Sequence, residues 1–145
     1  MISTYHQLRA DALPYNRTVL MTLLKQHGIQ RLTIFYSGGG DAGDTDKITA
    51  TPPQALAILE NATVPLRLPK VETLNGHHTY VLTEEERPAL DALREFTLGW
   101  IEQMHCRWEN DDGGAGEVTF DVVEDTCTLQ HTEYYTGSLH HEYTL

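Results

Sequence analysis

The sequence predicts one α+β domain over residues 1–145, a mostly antiparallel sheet with two main helices packed on one face. Three observations predict it. Residues 14–28 and 83–108 carry apolar side chains at three- and four-residue steps. Shorter segments alternate apolar and polar residues, with hairpin turns at Asn75-Gly76 and around Glu124-Asp125. Finally, no internal repeat or linker divides the chain, and 145 residues with 40% hydrophobic content can bury a core without staples.

The first helix is expected in "LPYNRTVLMTLLKQHGI". Pro14 suits a first turn, Val19, Leu20, Leu23 and Leu24 form the apolar stripe, and Gly28 stands where a helix stops. "RLTIFYS" then alternates Leu32, Ile34 and Tyr36 against Thr33 and Phe35, a strand ending at a glycine loop with a short return strand over 47–50. Thr51, followed by Pro52 and Pro53, is read as the cap of a short helix through "QALAILEN". In "VETLNGHHTYVL", the Asn75-Gly76 turn sets Leu74 opposite His77 and Thr73 opposite His78. Those two histidines therefore point to opposite faces and cannot readily share a metal; they are read as structural or surface residues.

"TEEERPALDALREFTLGWIEQMHCRW" is expected as the second main helix. Thr83 and Glu86 form a capping-box pair, and Leu90, Leu93, Thr97, Trp100, Ile101, Met104 and Trp108 form a core stripe. Gly99 in its middle suggests a close approach of another element. In "EVTFDVVEDTCTLQHTEYY", opposing Val122 with Cys127, Phe120 with Leu129 and Val118 with His131 gathers the large apolar residues on one face.

The stretch "FYSGGGDAGDTDKI" poses the sharpest chemical question. Gly38, Gly40 and Gly43 satisfy GxGxxG after a strand, but strand-like residues and two prolines follow where a dinucleotide fingerprint needs a helix N-terminus. Asp41, Asp44 and Asp46 would also oppose an anionic ligand, so no phosphate site is expected. These carboxylates, with Glu109, Asp111 and Asp112 of a second acidic loop, suit a hard cation in type but lack the order of an EF-hand, and no metal or other cofactor is assigned. Ser37 has no nucleophile elbow and Cys106 falls within a predicted helix, so no catalytic residue is assigned. His131, Glu133, His140, His141 and Glu142 could form a proton-transfer cluster, but the predicted register favours His131 as a hydrogen-bonded histidine at the core edge.

Charge is distributed unevenly. The net charge is −11; residues 1–107 hold 10 Lys and Arg against 12 Asp and Glu, whereas residues 108–145 hold nine acids and no Lys or Arg. Such a surface repels nucleic acid and anionic membranes and attracts cationic proteins, although solubility alone also explains acidity. Cys106 and Cys127 form no CxxC pair and are expected as buried thiols in a reducing cytosol. With no signal-peptide pattern and no spanning apolar run, a cytoplasmic location is expected.

"YSGGGDAGD", "WENDDGGAGEVTFDV" and "TLQHTEYYTGSLHHEYTL" resemble a family of small acidic bacterial proteins of unknown function found on mobile elements and phages. Its pattern is a YxGxGDxG loop, then a helix ending in WENNDGxxGxxxFDV, then an acidic, histidine-containing tail. Tyr36, Gly38, Gly40, Asp41, Gly43, Trp108, Glu109, Asn110, Asp112, Gly113, Gly116, Phe120, Asp121 and Val122 match. Ser37 stands where an aspartate is common, Asp111 replaces an asparagine, and residues 51–82 show no resemblance. The resemblance implies that the two acidic loops form one shared feature, and it brings no activity.

The function expected is therefore a non-enzymatic interaction module, a phage or mobile-element inhibitor that occupies a basic groove of a host nucleic-acid-binding or defence complex. Trp108 and Asn110 with Asp41, Asp44, Glu109, Asp111 and Asp112 are the expected partner-binding residues, the carboxylates pairing with Arg or Lys of the partner. The alternative is a divalent-metal-dependent hydrolase or nuclease with Asp41, Asp44, Glu109 and Asp112 as ligands.

Overall fold

The computed structural model describes residues 4–39, 42–104, 113–135 and 137–145. The first helix, α1, runs from Thr4 to Gln26 and so begins ten residues before Pro14, which lies inside it rather than in its first turn. Tertiary contacts hold the upstream turns despite the proline. Arg9 pairs with Glu102 at 3.0 Å, Tyr5 packs edge-on to Tyr80, and Gln103 donates to the His6 carbonyl. Leu20, Leu23 and Leu24 are buried as expected, and Gly28 ends the helix at φ 70°, a left-handed conformation that costs glycine little.

Strands β1 (Arg31–Gly39) and β2 (Ala42–Thr51) pair antiparallel, so the glycine stretch is the end of a hairpin much longer than the short return strand expected. Asp46 is the extra residue of a bulge between the Phe35 and Tyr36 pairings. The short helix α2 (Ala55–Leu59) is present, but Thr51 closes β2 and does not cap it. Strands β3 (Thr63–Leu74) and β4 (His77–Pro88) form a separate two-stranded ribbon. Its turn residues Asn75 and Gly76 both have positive φ, and the expected pairs Leu74 with His77 and Thr73 with His78 are observed.

The second main helix, α3, spans Ala89–Met104, not from Thr83. Thr83 and Glu86 belong to β4 and form no capping box. Pro88 explains the shift: in a helix begun at Thr83 its ring would meet the Glu84 carbonyl, and it forces Arg87 towards extended backbone. Leu93, Thr97, Trp100 and Ile101 are buried, whereas Met104 is 43% exposed and leaves the core stripe; Trp108 and Cys106 lie outside the described residues. Gly99 faces the Arg9 guanidinium, with a Cβ there standing 3.0 Å from Nε, which is the close approach its glycine suggested.

Strands β5 (Gly114–Asp121), β6 (Thr126–Tyr135) and β7 (Gly137–Thr144) complete a five-stranded antiparallel sheet of order β2-β1-β5-β6-β7. The β5–β6 register differs by two residues from expectation: Phe120 opposes Cys127, Val118 opposes Leu129 and Gly116 opposes His131. The turn spans residues 122–125 and so lies one residue earlier than expected, with Asp125 at φ 54° and the Glu124 amide donating to Asp121 Oδ1. A two-residue slip returns every side chain to the same face, so the apolar partition is unchanged.

The fold is α+β, with α1 and α3 packed against mostly antiparallel sheets around one core. Asn16 of α1 is buried and seals the ribbon edge: its Nδ2 donates to the Arg67 carbonyl and its Oδ1 accepts from the Arg67 amide, replacing a missing strand. Among the described residues no helix is long and apolar enough to cross a membrane.

Candidate functional site at the loop-bearing end and open face of the sheet

Strand pairing decides where the two acidic loops leave the sheet. Gly38 pairs with both Gly43 and Gly114, and Gly114 with Glu133, so β1, β2, β5 and β6 present these positions at one end. The described ends of β1 at Gly39, β2 at Ala42, β5 at Gly114, β6 at Tyr135 and β7 at Gly137 all lie there. Of the expected partner-binding residues, Asp44 is described: it is exposed, faces Ser37 across the hairpin, and accepts from the Thr45 amide at 2.7 Å. Asp41, Trp108, Glu109, Asn110, Asp111 and Asp112 lie outside the described residues. Because β2 follows the glycines directly, no helix N-terminus faces them, and the dinucleotide arrangement does not form. Among the described residues no group of three His, Cys, Asp or Glu side chains could hold a metal ion.

Just inside that end, one row of the inner face is polar. Thr45, Tyr36, Gly116, His131 and His141 are successive neighbours across the five strands. Tyr36 is 1% and His131 0% exposed, and Tyr36 Oη lies 2.5 Å from His131 Nδ1. Burial raises the Tyr36 phenol well above its ordinary range, so it keeps its proton beside the imidazole. Gly116 makes this pair geometrically feasible: a Cβ there would stand 2.5 Å from Tyr36 Oη and 2.0 Å from the Gln130 carbonyl oxygen. Gly114 similarly admits the ring of His131, whose Cε1 would be 2.9 Å from an added Cβ. His131 is thus the hydrogen-bonded histidine expected, although its strand neighbour is Gly116 and its partner Tyr36 comes from a strand the sequence did not connect to it.

The other face of the same sheet was not singled out from sequence. Its rows run Thr49, Thr33, Thr119, Thr128, Thr144 and Lys47, Phe35, Glu117, Gln130, Glu142 across all five strands. These side chains bond along the rows: Thr33 to Thr119 at 3.1 Å, Gln130 Nε2 to Glu142 at 2.8 Å, and the Lys47 ammonium 4.9 Å from the Phe35 ring centre. Two adjoining depressions lie on this face, one bordered by Phe35, Ala115, Thr132 and His140, the other by Arg31, Thr119, Asp121 and Glu142, with Glu117 and Gln130 lining both. The signal in the sequence was the polar half of each alternating strand, meaningful only once the strands were placed side by side.

The model of DUF6878, a family of unknown function, matches residues 12–145. The chain belongs to this family. Membership runs through residues 51–82 as well, the region in which the sequence showed no resemblance. No curated protein and no solved structure matches the chain.

Proposed function

We propose that the protein is a non-enzymatic interaction module that presents carboxylates to a cationic protein surface, in the manner of a phage or mobile-element inhibitor occupying a basic groove of a nucleic-acid-binding or defence complex. The observation that carries the proposal is the concentration of charge: residues 108–145 contain nine acids and no Lys or Arg, and β5, β6 and β7 lie side by side in one sheet. Glu117, Asp121 and Glu142 consequently share one face of that sheet, running from its middle towards the end opposite Gly38 and Gly114. Charged contacts of this kind set on-rate and specificity, and they weaken as salt screens them. Trp108 supplies an apolar anchor and Glu109, Asp111, Asp112, Asp41 and Asp44 the charge-assisted hydrogen bonds.

The test is a pulldown from bacterial lysate with the wild-type chain and with a Glu109→Ala, Asp111→Ala, Asp112→Ala variant, each washed at rising salt. A protein retained by the wild type, released by salt and lost with the variant is the expected result. Identical partners for both chains overturn the proposal.

A further inference from the structure

We infer that the open face of the five-stranded sheet docks one basic α-helix of a partner protein; this rests on the interaction reading above and specifies its surface and its occupant. The inner face of the sheet is sealed in the core, with Leu32, Ile34, Val118, Phe120 and Leu129 all at 0% exposure. The opposite face carries half-buried or exposed side chains on every strand, with no described helix upon it. Its two depressions meet at Glu117 and Gln130, so the surface is a shallow trough running along β5 and β6.

Charge selects a cationic occupant. Glu117, Asp121 and Glu142 line the trough with one base, Arg31, the cross-strand neighbour of Asp121, and Lys47 stands beyond Phe35 on β2, so the carboxylates are in excess. A second copy of this chain is a poor match, because each copy carries −11. Lys47 already shows how a cation settles here, its ammonium over the ring of Phe35 in the same row as Glu117.

Backbone chemistry selects a helix. A sheet face offers side chains and no main-chain groups, so an extended segment laid on it would leave its own N–H and C=O groups without a ladder. A helix satisfies its backbone internally, and its diameter of about 10–12 Å fits within a face about 20 Å wide. Glu117 and Glu142 stand two strands apart, about 10 Å, and Asp121 is four residues along β5 from Glu117, about 13 Å. Helix positions seven apart recur on nearly one face at about 10 Å, so a stripe of arginines on a helix crossing the strands matches the spacing of Glu117 and Glu142.

The experiment titrates the full chain with an alanine-rich helical peptide bearing one stripe of arginines, and with a peptide of the same charge whose helix is broken by central prolines. Backbone amide shifts locate the contact, and a Glu117→Gln, Glu142→Gln variant with unchanged thermal midpoint reports its dependence on the trough. Expected are shifts at outer-facing residues of β5 and β6, with binding at least about tenfold weaker for the broken peptide and for the variant. Equal affinity of the two peptides overturns the helix and leaves the acidic-module reading standing. Undiminished binding by the variant, or shifts confined elsewhere, overturns the assignment of the face. Binding of neither peptide overturns the inference as a whole, and the pulldown then judges the wider reading separately.

Discussion

The two faces of the five-stranded sheet are made from alternate residues of the same strands, yet they follow opposite rules. On the inner face Tyr36 and His131 hydrogen-bond each other in full burial, and Gly114 and Gly116 leave the room they occupy. On the outer face threonine, glutamine and glutamate hold one another loosely in rows and remain accessible. The difference teaches where function can reside. The inner face is committed to stability, because removing any partner there leaves a desolvated group. The outer face is stable without a cover and still suited to receive one, as a reversible interaction surface must be.

Substitution of matched residues is the strongest way to break this comparison. Phe120, buried at 0% exposure against Phe96, should cost about 3–5 kcal/mol as Phe120→Ala. Phe35, on the other face of the neighbouring strand, should cost under about 1 kcal/mol as Phe35→Ala. Denaturant unfolding of both variants checks the pair, and similar losses would mean that the outer face is packed too. Next in size, Tyr36→Phe removes the hydroxyl bonded to His131 and should lower stability by about 1–3 kcal/mol with the fold retained.

The smallest expected effect is a change in pH dependence. Burial pushes the Cys127 thiol up to about 12 and raises the Tyr36 phenol further. Both groups are then protonated in the folded chain at pH values where the unfolded chain has lost those protons. Their contribution is therefore intact below the ordinary thiol pKa of about 8.5 and declines as pH rises from there towards 12. Cys127→Ala should flatten that alkaline decline in the thermal midpoint without abolishing it, since Tyr36 still contributes. An unchanged slope would mean that the thiol is not sealed.

The ribbon turn was legible in the sequence because Asn75 and Gly76 are the residues its positive φ values require. The helix start at Ala89 was misread because a local capping pattern competed with Pro88, and the proline's steric effect prevailed. The β5–β6 register was ambiguous by two residues because alternation specifies a face and not a step along it. Of the candidate site, Asp44 was expected in a loop and stands in β2 opposite Ser37, because the hairpin pairs continue to the glycines. The trough of Glu117, Asp121 and Glu142 was not legible, since its members come from strands whose neighbours in space are far apart in sequence.

By itself the sequence determined the fold class, the two main helices, the division of each strand into an apolar and a polar side, and the gathering of acids into the last quarter of the chain. These follow from periodicity and composition, which act over a few residues at a time. Only the tertiary structure decided that Tyr36 meets His131, that Asn16 closes the edge of β3, and that threonines and carboxylates from five strands form one continuous surface. Such arrangements depend on which strand lies beside which, and that order is fixed by burying one shared core, a property of the whole chain that no short segment contains.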